Sequence, residues 1–158
     1  MNTFELKVIA VNRIFFSGKC RQVIVSAADG SIGIMAHHEN SVIALKEGSI
    51  RIQKEDGEWV EAVMGIGHVQ VAYNRVSVLV DFAEKPEEID ERRAQEALER
   101  AQEAMRQKQS TQEYHMSQAN IARAMARLAA KRHYTNINNS TFPPVKLANT
   151  LDNSSKII

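Results

Sequence analysis

Cysteine is nearly absent: Cys20 is the only one in 158 residues. That excludes a disulfide within the chain and a cysteine-built zinc site, and it suits a reducing compartment. Cys20 stands between Lys19 and Arg21 in a strand-like run and reads as an ordinary strand residue, not a reactive thiol. Long apolar runs are also missing. None approaches the roughly 18 to 20 residues that a membrane-spanning helix needs, so no spanning segment is expected. Residues 1–11 alternate charged and apolar side chains, where a secretory signal would have a basic end and an unbroken apolar stretch. The chain is therefore expected to stay in the compartment where it is made. Aromatics contribute 6%, with no aromatic-interleaved basic run or familiar module for nucleic acid. The formal net charge is only +1, but it hides an uneven distribution. Residues 84–108 lean acidic, and 113–133 are basic through Arg123, Arg127, Lys131 and Arg132, so two facing helices would carry opposite signs.

Up to Ala83 the pattern is of short alternating or apolar runs. Strands are expected at 4–8, 20–26, 32–35, 49–53, 59–64, 68–72 and 76–80, with turns at Asp29-Gly30, Glu47-Gly48, Asp56-Gly57 and Asn74. Many short strands at close spacing point to a small sandwich or flattened barrel. After Pro86 the residues 87–108 contain no glycine or proline and are rich in Ala, Glu, Gln and Arg, which predicts a helix with Asp90 capping its first turn. Leu98, Ala101 and Met105, widened by Ala94, Ala97 and Ala104, form its apolar stripe. A polar break at 109–112 precedes a second helical pattern over 113–132, with Tyr114, Ile121, Met125 and Leu128 on one face. The short connection implies an antiparallel hairpin. Residues 134–158 are rich in Asn, Ser, Thr and Pro and read as a disordered tail. The predicted class is α+β, mainly β at the N-terminal end: a β-sandwich over 1–84, a hairpin over 87–133 and the tail. Alanine-rich faces bury little area at roughly 25 cal/mol per Å², so the hairpin is expected to be weakly held and able to move.

Three constellations are candidates for chemistry. His37-His38-Glu39, with His68 elsewhere, does not converge as metal ligands must, because neighbours on a strand or turn diverge; no metal is expected. The run Asp29-Gly30-Ser31-Ile32-Gly33-Ile34 lacks the Gly-Lys-Ser/Thr ending and the following helix of a phosphate loop, so it reads as a β-turn. No nucleophile-and-base spacing is visible, and the chain reads as a non-catalytic adaptor. Arg93 and Arg100 share a helix face by i, i+7, and Arg123 and Arg127 share another by i, i+4. Spacing alone leaves three readings open: solvated surface charge, a patch for an acidic partner or RNA, and a cage for a polyphosphate.

Several short segments together resemble the epsilon subunit of bacterial F-type ATP synthases, from about Phe4 to about Leu128. They are Phe16-Ser17-Gly18, the run 29–34 followed by His38, residues 45–52 and 69–81, and Ile89-Asp90 with Arg93-Ala94. The chain has Ala36-His37 where the family usually has Pro-Gly, and Gly65-Ile66-Gly67 near a usual Gly-Gly-aromatic. The resemblance implies a peripheral rotor subunit of a proton- or sodium-translocating enzyme on the cytoplasmic face of the bacterial plasma membrane. Its sandwich would sit against the gamma subunit and the c-ring, contacting them through Asp29, Gly30, Ser31, Ile32, Gly33 and His38. Ser31 stands where the family often has an acidic residue. The hairpin would fold on the sandwich or extend toward the beta subunit and inhibit ATP hydrolysis. No cofactor is required, but some members bind a regulatory ATP. The matching residues here are Glu84, Ile89, Asp90, Arg93, Ala94, Arg100, Arg123 and Arg127. A free-standing ATP-sensing module is the alternative, and it has no need of Phe16-Ser17-Gly18 or the ring-facing turn.

Overall fold

Two unusually long strands organise the N-terminal half. The structure, a computed structural model, describes residues 2–107 and 110–139. Its strands are β1 (Phe4–Ala10), β2 (Arg13–Ala27), β3 (Gly30–Met35), β4 (Ser41–Lys54), β5 (Trp59–Met64), β6 (Gly67–Ala72), β7 (Arg75–Val80) and β8 (Ala83–Glu84). The first half of β2 pairs with β1, from Ala10↔Arg13 to Phe4↔Cys20. Its second half lies between β3 and β4, with Val23 opposite Ile34 on one side and Ile52 on the other. β4 divides in the same way: 41–45 pairs with β6, and 48–53 with β5. Each long strand therefore serves two sheets, β2-β1-β7-β6-β4 and β3-β2-β4-β5-β8, which close on each other as the expected sandwich. The β1–β7 pair is parallel.

Alternation explains the core. Phe4, Leu6, Val8 and Ala10 point inward from β1, meeting Val23, Val25, Ile50, Ile52, Val69, Val71, Val76 and Val78, all buried. Each such side chain contributes roughly 1.5–3 kcal/mol on burial. The Glu47-Gly48 turn did not materialise, because β4 runs through it while passing from β6 to β5. A Cβ on Gly48 would collide with the Ser26 side chain, so glycine there permits close strand approach, not chain reversal. The other turns formed. Gly30 and Gly57 have φ of 127° and 93°, and Tyr73 and Asn74 have φ of 50° and 61°, the mirror-turn geometry of tight hairpins.

The chain leaves β8 through a 3-10 turn at Pro86–Glu88, then forms α1 (Glu91–Gln107) and α2 (Thr111–Asn139). Helix one starts later than expected because Ile89 is extended, at φ −82° and ψ 122°. Asp90 is the cap: its Oδ1 accepts from the Arg93 N–H at 3.2 Å. Ser110 Oγ caps α2 by accepting from the Glu113 N–H at 3.1 Å. Residues 134–139, assigned to the tail, are helical. Propagating an existing helix costs far less than nucleating one, so poor helix formers are carried along. The Thr135 hydroxyl bonds the Lys131 carbonyl at 2.9 Å, and the Lys131 ammonium lies 5.8 Å from the Tyr134 ring centroid. The rest of the tail lies outside the described residues.

The helices meet through Ala94 and Ala101 of α1 and Ser117, Ala124 and Leu128 of α2, all buried, with Ile121 half-buried. Met125, expected on this seam, is 56% exposed, and Ala104 is exposed as well. α2 touches β4, β5 and the 3-10 turn, where Ala126 and Ala130 cover Val63, Phe82 and Ile89. The hairpin is thus folded against the sandwich.

Candidate functional site

The segment after β7 supplies the sandwich side of the site. Gly65 N–H donates to the Phe82 carbonyl and Asp81 N–H to the Ile66 carbonyl, both at 3.0 Å. β8 then continues alongside β5, placing Glu84 opposite Val63. A Cβ on Gly65 would overlap the Asp81 carboxylate and press on the Phe82 ring, so glycine is what lets this segment lie flat. The Phe82 N–H donates to Asp81 Oδ1 at 2.9 Å, fixing that carboxylate.

Two arginines of α2 reach down to it. Arg123 Nη1 donates to Asp81 Oδ2 at 3.1 Å, and Arg123 also bonds the Asn120 side chain. Arg127 grips Glu84 with two bonds of 3.0 Å, and its guanidinium carbon lies 4.1 Å from the Phe82 ring centroid. These side chains remain between 25% and 32% exposed, so partial solvent screening keeps each pair to about 1 kcal/mol at most. The Lys131 ammonium adds a bond to the Pro86 carbonyl at 3.4 Å.

Between α1, the 3-10 turn and α2 lies an open cavity of about 480 Å³. Glu84, Ile89, Asp90, Arg93, Ala94, Arg100 and Arg127 line it, seven of the eight residues expected around a nucleotide. The eighth, Arg123, lines an adjoining groove of about 310 Å³ that shares Ala97, Arg100 and Arg127 with the first. The structure therefore brings all eight together, from β8, the Ile89-Asp90 link, α1 and α2.

Its electrostatics are lopsided. Glu84 is answered by Arg127, and Asp90 by the Arg93 N–H. Glu96 lies 3.8 Å from Arg92. Glu88 accepts from Arg13 at 2.7 Å and from the Lys85 N–H at 3.0 Å. The Arg13 hydrogen bond is the main reason its carboxyl is held below the usual carboxylate range, and the same bond raises the Arg13 guanidinium further. The guanidiniums of Arg93 and Arg100 have no hydrogen-bond or ion-pair partner among the described residues. Glu84, Glu88 and Asp90 thus accept hydrogen bonds and Glu96 lies near Arg92, while two cations on one helix face are open to an anion. Ile89, Ala94 and Ala97 offer apolar wall beside them.

The six residues expected to face the rotor are not gathered at one point. Asp29 and Gly30 form the β2–β3 turn, Ser31, Ile32 and Gly33 lie on edge strand β3, and His38 follows its far end. A six-residue strand separates the turn from His38, about 20 Å. At that far end the Asn74 side chain ties loops together, accepting from the His37 N–H at 2.8 Å and donating to the Thr3 carbonyl at 3.0 Å. Asp81 and Phe82 were missed as site residues. Nothing in local spacing signals that Asp81 meets an arginine 42 positions away.

The chain's matches to known proteins agree with this layout. Residues 3–86 match the family described as ATP synthase, Delta/Epsilon chain, beta-sandwich domain. Residues 87–132 match its ATP synthase, Delta/Epsilon chain, long alpha-helix domain. The ATP synthase epsilon chain of Ruminiclostridium cellulolyticum is 44% identical over 130 residues, 82% of this chain and 96% of that one. The epsilon chain of Caldicellulosiruptor saccharolyticus is 44% identical over 128 residues, 81% of this chain and 93% of that one. Among solved structures, a chain of the Euglena gracilis mitochondrial ATP synthase (OSCP/F1/c-ring) superposes with a TM-score of 0.69. It is 20% identical and covers 82% of each chain, a likeness of fold.

Proposed function

The chain belongs to the ATP synthase delta/epsilon family, and from that membership we propose that it is a non-catalytic central-stalk subunit of an F-type ATP synthase with a nucleotide-responsive hairpin. The sandwich is the seat on the rotor, toward the gamma subunit and the c-ring, and the hairpin is the arm that restrains ATP hydrolysis by reaching the beta subunit. The observation that carries the nucleotide part is the cavity between the helices, where Arg93 and Arg100 stand beside apolar wall with no guanidinium partner among the described residues, while Glu84, Glu88 and Asp90 accept hydrogen bonds. Such a site suits a polyphosphate with a flat, partly apolar end. Arg93 and Arg100 hold the phosphates, and Asp90, at the helix cap, faces the sugar or base. A ligand bridging α1 and the linker favours the folded hairpin by mass action, since only the folded form assembles the site.

Co-purification tests the stalk role: the chain is expected to come down with gamma and with membranes, and a monomer that never joins the complex contradicts it in favour of a free-standing ATP sensor. Ending the chain after Lys85 is expected to raise ATP hydrolysis by the assembled enzyme while coupling survives. No rise removes the restraining role.

A further inference from the structure

We infer that Asp81 and Glu84 form with Arg123 and Arg127 a latch that holds the hairpin folded in the absence of any ligand, so that the four groove arginines divide into two pairs with different tasks. The division rests on the nucleotide reading above only for Arg93 and Arg100. The latch itself stands on geometry. Arg123 and Arg127 are one turn apart on α2, and Asp81 and Glu84 present their carboxylates from the strip fixed against β5. Both pairs close at 3.0–3.1 Å. Asp81 is pre-organised, with one oxygen held by the Phe82 N–H and the other left for Arg123. Gly65 keeps the space that this carboxylate occupies. Glu84 receives the fork of Arg127 while the guanidinium covers Phe82. Fork-to-carboxylate geometry specifies position as well as attraction.

The apolar contact beneath is small. Ala126 and Ala130 are the α2 side chains on the Val63, Phe82 and Ile89 cluster, and two methyl groups give little burial and little register. The ion pairs therefore supply the directional part of the contact. A polyphosphate reaching Arg123 or Arg127 must displace a carboxylate already in place, whereas Arg93 and Arg100 are open to it. Arg123 and Arg127 are positioning residues of the folded arm first, and Arg93 and Arg100 its ligand-facing residues.

Amide hydrogen exchange on the full chain, without nucleotide, tests the division. In the Asp81→Asn/Glu84→Gln double variant, protection of α2 residues 121–132 is expected to fall about tenfold, since two screened pairs are lost. Core peptides of β1 and β7 should be unchanged, which controls for folding. Wild-type α2 protection should drop between low and high salt, and the double variant should lose that dependence. The swapped pair Asp81→Arg/Arg123→Asp should recover part of the protection lost in either single variant. Arg93→Gln should leave nucleotide-free exchange unchanged and abolish the response to added ATP. Unchanged α2 protection and salt dependence in the double variant would overturn the latch. A wild type whose α2 exchange ignores ATP would remove the nucleotide reading and leave the latch result intact.

Discussion

The sandwich and the hairpin are built by opposite strategies. In the sandwich, buried Val, Ile, Leu and Met side chains from two sheets fill one core, and β2 and β4 each belong to both sheets, so neither sheet can leave. In the hairpin the seam is alanine, serine, one leucine and a half-buried isoleucine, and α2 meets the sandwich through two alanines, two ion pairs and Arg127 over the Phe82 ring. One part gains its position from area, the other from direction. Area-based packing is costly to undo and is not weakened by charge screening; directional pairing is inexpensive to undo and open to competition by ligand or partner. In the proposed role, the first property would serve coupling and the second regulation.

The largest expected effect lies in the core. Ile50→Ala should cost about 2–5 kcal/mol, through lost burial plus the cavity left, read as a fall in the urea midpoint of the whole chain. Leu128→Ala removes a side chain of similar size from the hairpin seam, yet should leave that midpoint nearly unchanged while α2 exchanges faster. A matching loss of global stability from both would break the comparison. Gly65→Ala is intermediate. Its methyl group has no room beside Asp81 and Phe82, so it should cost about 1–3 kcal/mol and loosen α2 in the same measurement. Asp90→Ala removes the cap of α1 and should cost about 1 kcal/mol of helix stability, seen as reduced helicity by circular dichroism with sandwich stability intact.

Two smaller effects concern titratable groups. Cys20 is fully buried, and burial pushes its thiol up to about 12. Alkylation near neutral pH should therefore wait for unfolding of the sandwich and ignore release of the hairpin. Glu88 is held by Arg13 below its ordinary value of 4.5. A carboxylate with a lowered folded value stabilises the fold above its unfolded value and loses that contribution as pH falls through the folded one. The Arg13–Glu88 tie should thus be present at neutral pH and fade only below about pH 4.5, a small effect because both side chains are about 40% exposed. Thermal melts of wild type and Glu88→Gln should converge there.

The legible parts of the sequence were those with local signals. Strict alternation from Phe4 to Val8 fixed β1, and Asp90 ahead of an alanine-rich stretch placed the cap. The first halves of β2 and β4, which pair with β1 and β6, were harder. Residues 13–19 contain no buried side chain and so carry no alternation. Gly48 read as a turn because close approach by Ser26, which also needs a glycine, leaves no mark on neighbouring residues. Helical spacing had already singled out the four arginines, the resemblance added Glu84, Ile89, Asp90 and Ala94, and the structure gathers all eight at the groove. Asp81 was invisible for the same reason that it is informative: its partner is set by tertiary folding alone.

The most direct test is calorimetric titration of ATP into the full chain and into Arg93→Ala. The account predicts saturable binding of one ATP to the wild type, weakened about tenfold or more when one charge-assisted phosphate contact is removed. Equal affinity in both proteins, or no binding to the wild type, would contradict it.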